Sequence, residues 1–150
     1  MQKEVVILPC SGIGKAYGEM GRQAVYELIG DLRVEDVTTT CLGRLMIEDP
    51  ETQKLVKDHI VITVDGCARD CARKNVEFAG KGVNSALRVI DVFKDNRDLK
   101  PEGILKLGGP GFKLVHILAQ KLAEEIDRVR RKEQEDAGTI QTGEGRYYPL

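Results

Sequence analysis

Residues 60–80 read IVITVDGCARDCARKNVEFAG, and the fold class follows from how that stretch divides. Its first six residues are an apolar, mostly β-branched run closed by an aspartate, the pattern of a central strand covered on both faces. After Gly66 the composition shifts to helix formers, and ARDCARKNVEFA predicts a helix that Gly80 closes. Strand, glycine turn and helix make the repeating unit of layered α/β proteins, whose parallel strands are joined through helices lying on the sheet. Cys67 and Cys71 fall at the start of the expected helix.

The same unit recurs on either side. Upstream, EVVILP at 4–9 is a buried strand, CSGIGK at 10–15 a loop, and Tyr17, Met20, Ala24 and Leu28 recur at helical spacing from Ala16 to Ile29, with Gly30 as the stop. VEDVTTT at 34–40 predicts a further strand. It meets Cys41, then a loop containing Gly43 and a helix after Pro50. Downstream, a fourth strand is expected within Ala86–Val92, and DNRDLKPEG at 95–103 is a charged loop. A long helix is expected from Gly111, with Val115, Leu118, Leu122, Ile126 and Val129 as its apolar stripe. The alternation predicts an α/β fold: an open, mainly parallel sheet of about four strands with helices on both faces, a three-layer architecture of flavodoxin or Rossmann type. Residues 1–132 are expected to form one domain, and the polar 133–150 a mobile tail unless Tyr147, Tyr148 and Leu150 dock.

Composition narrows the function classes. The 23 basic and 24 acidic side chains nearly cancel, so no bulk field favours a nucleic acid or an anionic membrane. Aromatic residues are too few for base-stacking platforms. The first strand begins close to Met1 with no secretory pattern before it, and no apolar run is long enough to span a bilayer, so a cytoplasmic location is expected. In a reducing compartment its four cysteines read as ligands, nucleophiles or packing residues rather than disulfides.

All four cysteines, Cys10, Cys41, Cys67 and Cys71, stand where a strand-like run gives way to a helix-like one. Parallel sheets bind ligands beyond the carboxyl ends of their strands, so the four thiols are expected on one rim, where together they suit zinc or an iron–sulfur cluster. Cys67 and Cys71 are four residues apart. On a helix they would share a face with Cβ atoms about 5–6 Å apart, close enough to chelate. Lys15, Arg44 and Arg69 are near enough in sequence to offset thiolate charge, and Asp65 can cap the next helix, bond the backbone that bears the thiols, or stand behind the ligands. His59 and His116 have no partner at ligand spacing and are left outside the site. The Cys67-to-Arg73 spacing outlines a phosphate loop but lacks its glycines and hydroxyl, and no pair of cysteines has the two-residue separation of a redox dithiol.

CSGIGK, CLGRL and above all VDGCARDCARK resemble the small DGC-domain proteins over about residues 4–130, with the Asp-Gly-Cys of the family at Asp65, Gly66 and Cys67. The resemblance places the four family cysteines on Cys10, Cys41, Cys67 and Cys71, and Arg73 and Lys74 match as well. CLGRLMIED has fewer glycines than the family pattern around Cys41. The family implies zinc by way of its cysteines and supplies no reaction.

The expected function is therefore that of a cytosolic metal-binding protein holding zinc through the four thiolates, with Asp65, Lys15 and Arg69 around them. A closed four-sulfur shell leaves no position for water, which favours a structural, storage or delivery role, the last with an unidentified protein partner, over hydrolysis. Two other readings use the same residues: an iron–sulfur module for electron transfer or sensing, and a thiol-dependent transferase with Cys10 or Cys67 as nucleophile.

Overall fold

The computed structural model describes residues 3–12, 14–33 and 35–142, with side chains through residue 138. Four strands, β1 (Val5–Pro9), β2 (Val37–Thr39), β3 (Ile60–Asp65) and β4 (Ser85–Arg88), form one parallel sheet in the order β2-β1-β3-β4. The helices are α1 (Ala16–Glu27), α2 (Leu42–Met46), α3 (Pro50–Asp58), α4 (Cys71–Phe78), α5 (Val89–Asp95) and α6 (Gly108–Thr142). The expected α/β architecture is the one observed.

Alternation along the two central strands explains why helices lie on both faces. Val5, Ile7, Ile62 and Val64 point to one side, where Met20 and Ala24 of α1 and Leu114, Leu118, Leu122 and Ile126 of α6 cover them. Val6, Leu8 and Val61 point to the other, against Leu42, Leu45, Val56, Ala72 and Val76. Each of the Val, Leu, Ile and Met side chains, fully buried, contributes about 1.5–3 kcal/mol, so neither layer can be peeled away cheaply. Helix α6 is also tied down by charge. Arg33 donates to Asp127 at 2.6 Å, Arg130 binds Asp36, and Ser85 at the head of β4 donates to Glu125 at 2.6 Å.

Several boundaries differ from the expected ones for physical reasons. Gly30 does not stop α1: the chain passes into a π-type turn at Leu28–Leu32, closed by the Arg33 amide on the Leu28 carbonyl at 2.7 Å, with Leu28 buried and Leu32 exposed. The fourth strand ends at Arg88. Val89 and Val92, three apart, are both buried as the inner face of α5, and that burial overrides their β preference. A short helix, α2, stands where the Gly43 loop was expected. Helix α6 begins at Gly108, before Gly111, and continues through Thr142, well past Lys132; Glu133 on this extension pairs with Lys3 at 3.0 Å. Tyr147, Tyr148 and Leu150 lie outside the described residues.

Candidate metal centre

Strand order decides which cysteines are neighbours. β2, β1 and β3 lie side by side, and the chain leaving each at its carboxyl end carries Cys41, Cys10 and Cys67 respectively. Parallel strands run about 4.8 Å apart, so three residues far apart in sequence emerge in a row on one rim. Cys71 joins them as the first residue of α4.

The β1 and β3 loops are locked together by backbone. The Cys10 amide donates to the Val64 carbonyl at 2.8 Å, and the Gly12 amide approaches the Cys10 sulfur at 3.3 Å. Gly12, Gly18 and Gly66, from the first loop, α1 and the Asp-Gly-Cys turn, then meet with no room for a side chain. A Cβ on Gly18 would stand 2.7 Å from the Gly12 carbonyl oxygen, and one on Gly66 2.7 Å from the Gly18 nitrogen. Arg22 completes the lock, donating to the Ser11 carbonyl at 2.9 Å and pairing with Glu19 at 2.5 Å.

Asp65 closes β3 and caps α4 from a distance. It is 1% exposed, and its carboxylate accepts the Ala72 amide at 2.7 Å and the Arg73 amide at 3.2 Å, two of the donors that the first turn of a helix leaves free. Burial pushes its carboxyl up, and the two amide bonds oppose that shift. Capping, one of the roles foreseen for Asp65, is thus its contact in the structure.

The helical pairing of Cys67 with Cys71 is corrected. Helix α4 starts at Cys71, and Cys67 lies in the loop before it. Asp70 at φ 54 breaks the helix on its amino side, and Asp65 holds the amides just beyond. Cys67 is half-buried and Cys71 exposed. Although the residue is exposed, partial desolvation of its sulfur raises the Cys71 thiol, and the nearby Cys10, Asp65 and Cys67 add to the shift, with Arg69 acting against it. Arg69 and Lys15 are both exposed, Lys15 just ahead of α1. Arg44 is occupied by Asp49 at 3.0 Å and Glu51 at 3.2 Å. His59 accepts the Glu4 amide, and His116 pairs with Glu27 and Gln120, which leaves both engaged elsewhere.

Cys41 is exposed and meets Cys10 across an open cleft of about 400 Å³, whose walls include Arg22, Tyr26, Thr40 and Leu42. As a donor set, cysteine thiols are of the kind that binds zinc. Among the described residues, however, no group of three or more His, Cys, Asp or Glu side chains is placed so as to hold one ion.

Sequence reasoning missed Asp70 and Arg88. Asp70 is buried and bound by Arg88 and Arg73. Its spacing to Arg73 was a readable signal; Arg88, eighteen residues on, offered none.

The DGC domain model matches residues 6–107 of the chain. No curated protein and no solved structure matches it. Among the described residues no helix is long and apolar enough to cross a membrane.

Proposed function

The chain belongs to the DGC-domain family, and from that premise we propose that it is a cytosolic metal-binding protein whose Cys10, Cys41, Cys67 and Cys71 thiolates bind one zinc ion. The observation that supports this is the strand order. It brings side by side the ends of β2, β1 and β3, after which the chain carries Cys41, Cys10 and Cys67, and Cys71 follows at the start of α4. Zinc bound by four thiolates has no vacant position, so the group would supply cross-linking and cargo holding rather than a polarised water. The role that follows is structural, storage or delivery.

Zinc–sulfur bonds of about 2.3 Å in a tetrahedron require the sulfurs to converge to roughly 4 Å. Binding then needs the rim to close. Asp65 keeps α4 and Cys71 in place, the glycine contacts keep Cys10 beside the Asp-Gly-Cys turn, and Cys41, on the exposed side of the cleft, travels furthest.

Elemental analysis of protein purified anaerobically without added metal tests the reading. One zinc per chain is expected, with occupancy falling sharply in each of Cys10→Ser, Cys41→Ser, Cys67→Ser and Cys71→Ser. Full retention in Cys41→Ser would remove that residue from the site, and a visible chromophore with iron would replace zinc by a cluster. Thiolate ligation also releases protons, so affinity should weaken on acidification; an affinity unchanged between neutral and mildly acidic pH would contradict it.

A further inference from the structure

Between Cys67 and Cys71 the chain carries a device that the capping of α4 does not require. Asp70 stands at φ 54 and ψ 42, in the left-handed region, and its side chain is 6% exposed. Arg88 grips the carboxylate with both arms of its guanidinium, Nε reaching Oδ1 at 2.6 Å and Nη2 reaching Oδ2, while Arg73 donates to Oδ2 at 3.0 Å. Arg88 is the last residue of β4 and pairs in register with Asp65. The Asp70 amide approaches the Cys67 carbonyl at 3.4 Å, closing a turn of four residues, and Cys71 follows at once. The carboxylate is therefore anchored to the end of β4 by its side-chain bonds, while the Asp70 backbone bonds Cys67 through its amide and leads directly into Cys71.

We infer that Asp70, clasped by Arg88 and Arg73, is a positioning residue that fixes the Cys67–Cys71 loop at the rim so that Cys41 closes onto it. The geometry stands by itself; the purpose rests on the thiolate reading. The clasp is directional. A forked guanidinium fixes the orientation of a carboxylate as well as its distance, which a single cation does not. Moving the loop off the rim would pull the carboxylate away from Arg88, which is fixed on another strand, and leave its oxygens without their forked partner. Left-handed backbone at a residue other than glycine persists where its surroundings over-determine it, and here the surroundings are this clasp.

The test uses the full chain, metal-free and zinc-loaded. Asp70→Asn keeps a side chain that tolerates the left-handed backbone and removes the charge; Arg88→Lys keeps the charge and removes the fork. Leu122→Ala, in the buried face of α6, serves as a variant destabilised away from the rim. Rates of thiol alkylation are read peptide by peptide, and zinc affinity by competition with a chromophoric chelator. Expected are faster alkylation of Cys67 and Cys71 in Asp70→Asn and Arg88→Lys with Cys41 unchanged, and zinc affinity lower by about tenfold or more, the scale seen when groups orienting metal ligands are lost. Leu122→Ala should melt lower yet leave both readouts at wild-type values. The inference is overturned if Cys67 and Cys71 react at the wild-type rate in both clasp variants, or if Leu122→Ala shifts all the thiols alike. Zinc-free wild-type protein in the presence of the expected alkylation pattern would sink the metal reading and leave the clasp standing.

Discussion

The two sides of the rim are built to different standards. On the β3 side Cys67 and Cys71 are flanked by Asp65 on the α4 amides and Asp70 in the arginine clasp, and Gly66, just before Cys67, packs on Gly18 backbone. On the β2 side Cys41 precedes a helix of only five residues, with no side-chain cap, and is exposed. On the proposed reading, closure would fall on Cys41 at the end of a three-residue edge strand, while Leu42 and Leu45 keep α2 packed on the sheet. If the proposed zinc is bound there, such a site would suit a cargo that is taken up and released better than a permanent staple.

Metal removal should widen this contrast most. A ligand bound only by the folded chain stabilises it by about 4 kcal/mol when its free concentration is 1,000 times the dissociation constant. Chelation is thus expected to lower the melting temperature, while circular dichroism should find the apo protein still folded on its two apolar layers. Hydrogen exchange gives the sharper readout. Amides of residues 41–46 should lose protection on chelation far more than those of 71–78. Equal loss on both sides would abolish the distinction between a fixed and a moving half, and an unchanged melting temperature would argue against a shared metal.

Glycine-to-alanine exchanges probe the same contrast at a smaller scale. Gly18 and Gly43 are both helical, where alanine is favoured by about 0.5–1 kcal/mol. At Gly18 the new Cβ meets backbone at 2.7 Å, and overpacking of this kind costs roughly 1–3 kcal/mol. At Gly43 it meets only the Cys41 sulfur at 3.5 Å, an ordinary contact. Thermal melts should show Gly18→Ala less stable than wild type and Gly43→Ala equal or slightly more stable. The reverse order would mean that the β1–β3 lock is not tight.

How much of this was legible beforehand follows from the range of the forces involved. The strands showed because each covered strand needs a local run such as IVITV or VVIL, and the four thiols showed because sulfur chemistry resides in residue type. The order β2-β1-β3-β4, which makes Cys41, Cys10 and Cys67 neighbours, is a product of long-range pairing and left no local trace. Val89 and Val92 misled because burial against the α5 side outweighs β preference. Cys67 misled because its helix is cut short by the left-handed Asp70, whose reason to be there, Arg88, is contributed by another strand.

The smallest expected effect concerns acid, and it tests the adaptable side alone. Asp49 caps α3, the helix that follows Cys41 and α2, by accepting the Thr52 amide at 2.9 Å. That bond, with the Thr52 hydroxyl and Arg44, holds its carboxyl below the ordinary value of 3.8, against a smaller opposing effect of burial. A carboxyl depressed in the folded state contributes stability that is complete above its unfolded pKa and is lost as the pH falls through its folded one. Asp49→Asn keeps an amide-accepting oxygen but cannot titrate, so its melting temperature should lie slightly below wild type at neutral pH and converge on it as acid removes the wild-type advantage. The convergence should be visible in amide exchange of residues 50–58 before it is visible in the global melt. If instead the gap between the two proteins stays constant from pH 7 to well below 3.8, the Asp49 carboxylate is not what secures the second helix on the Cys41 side.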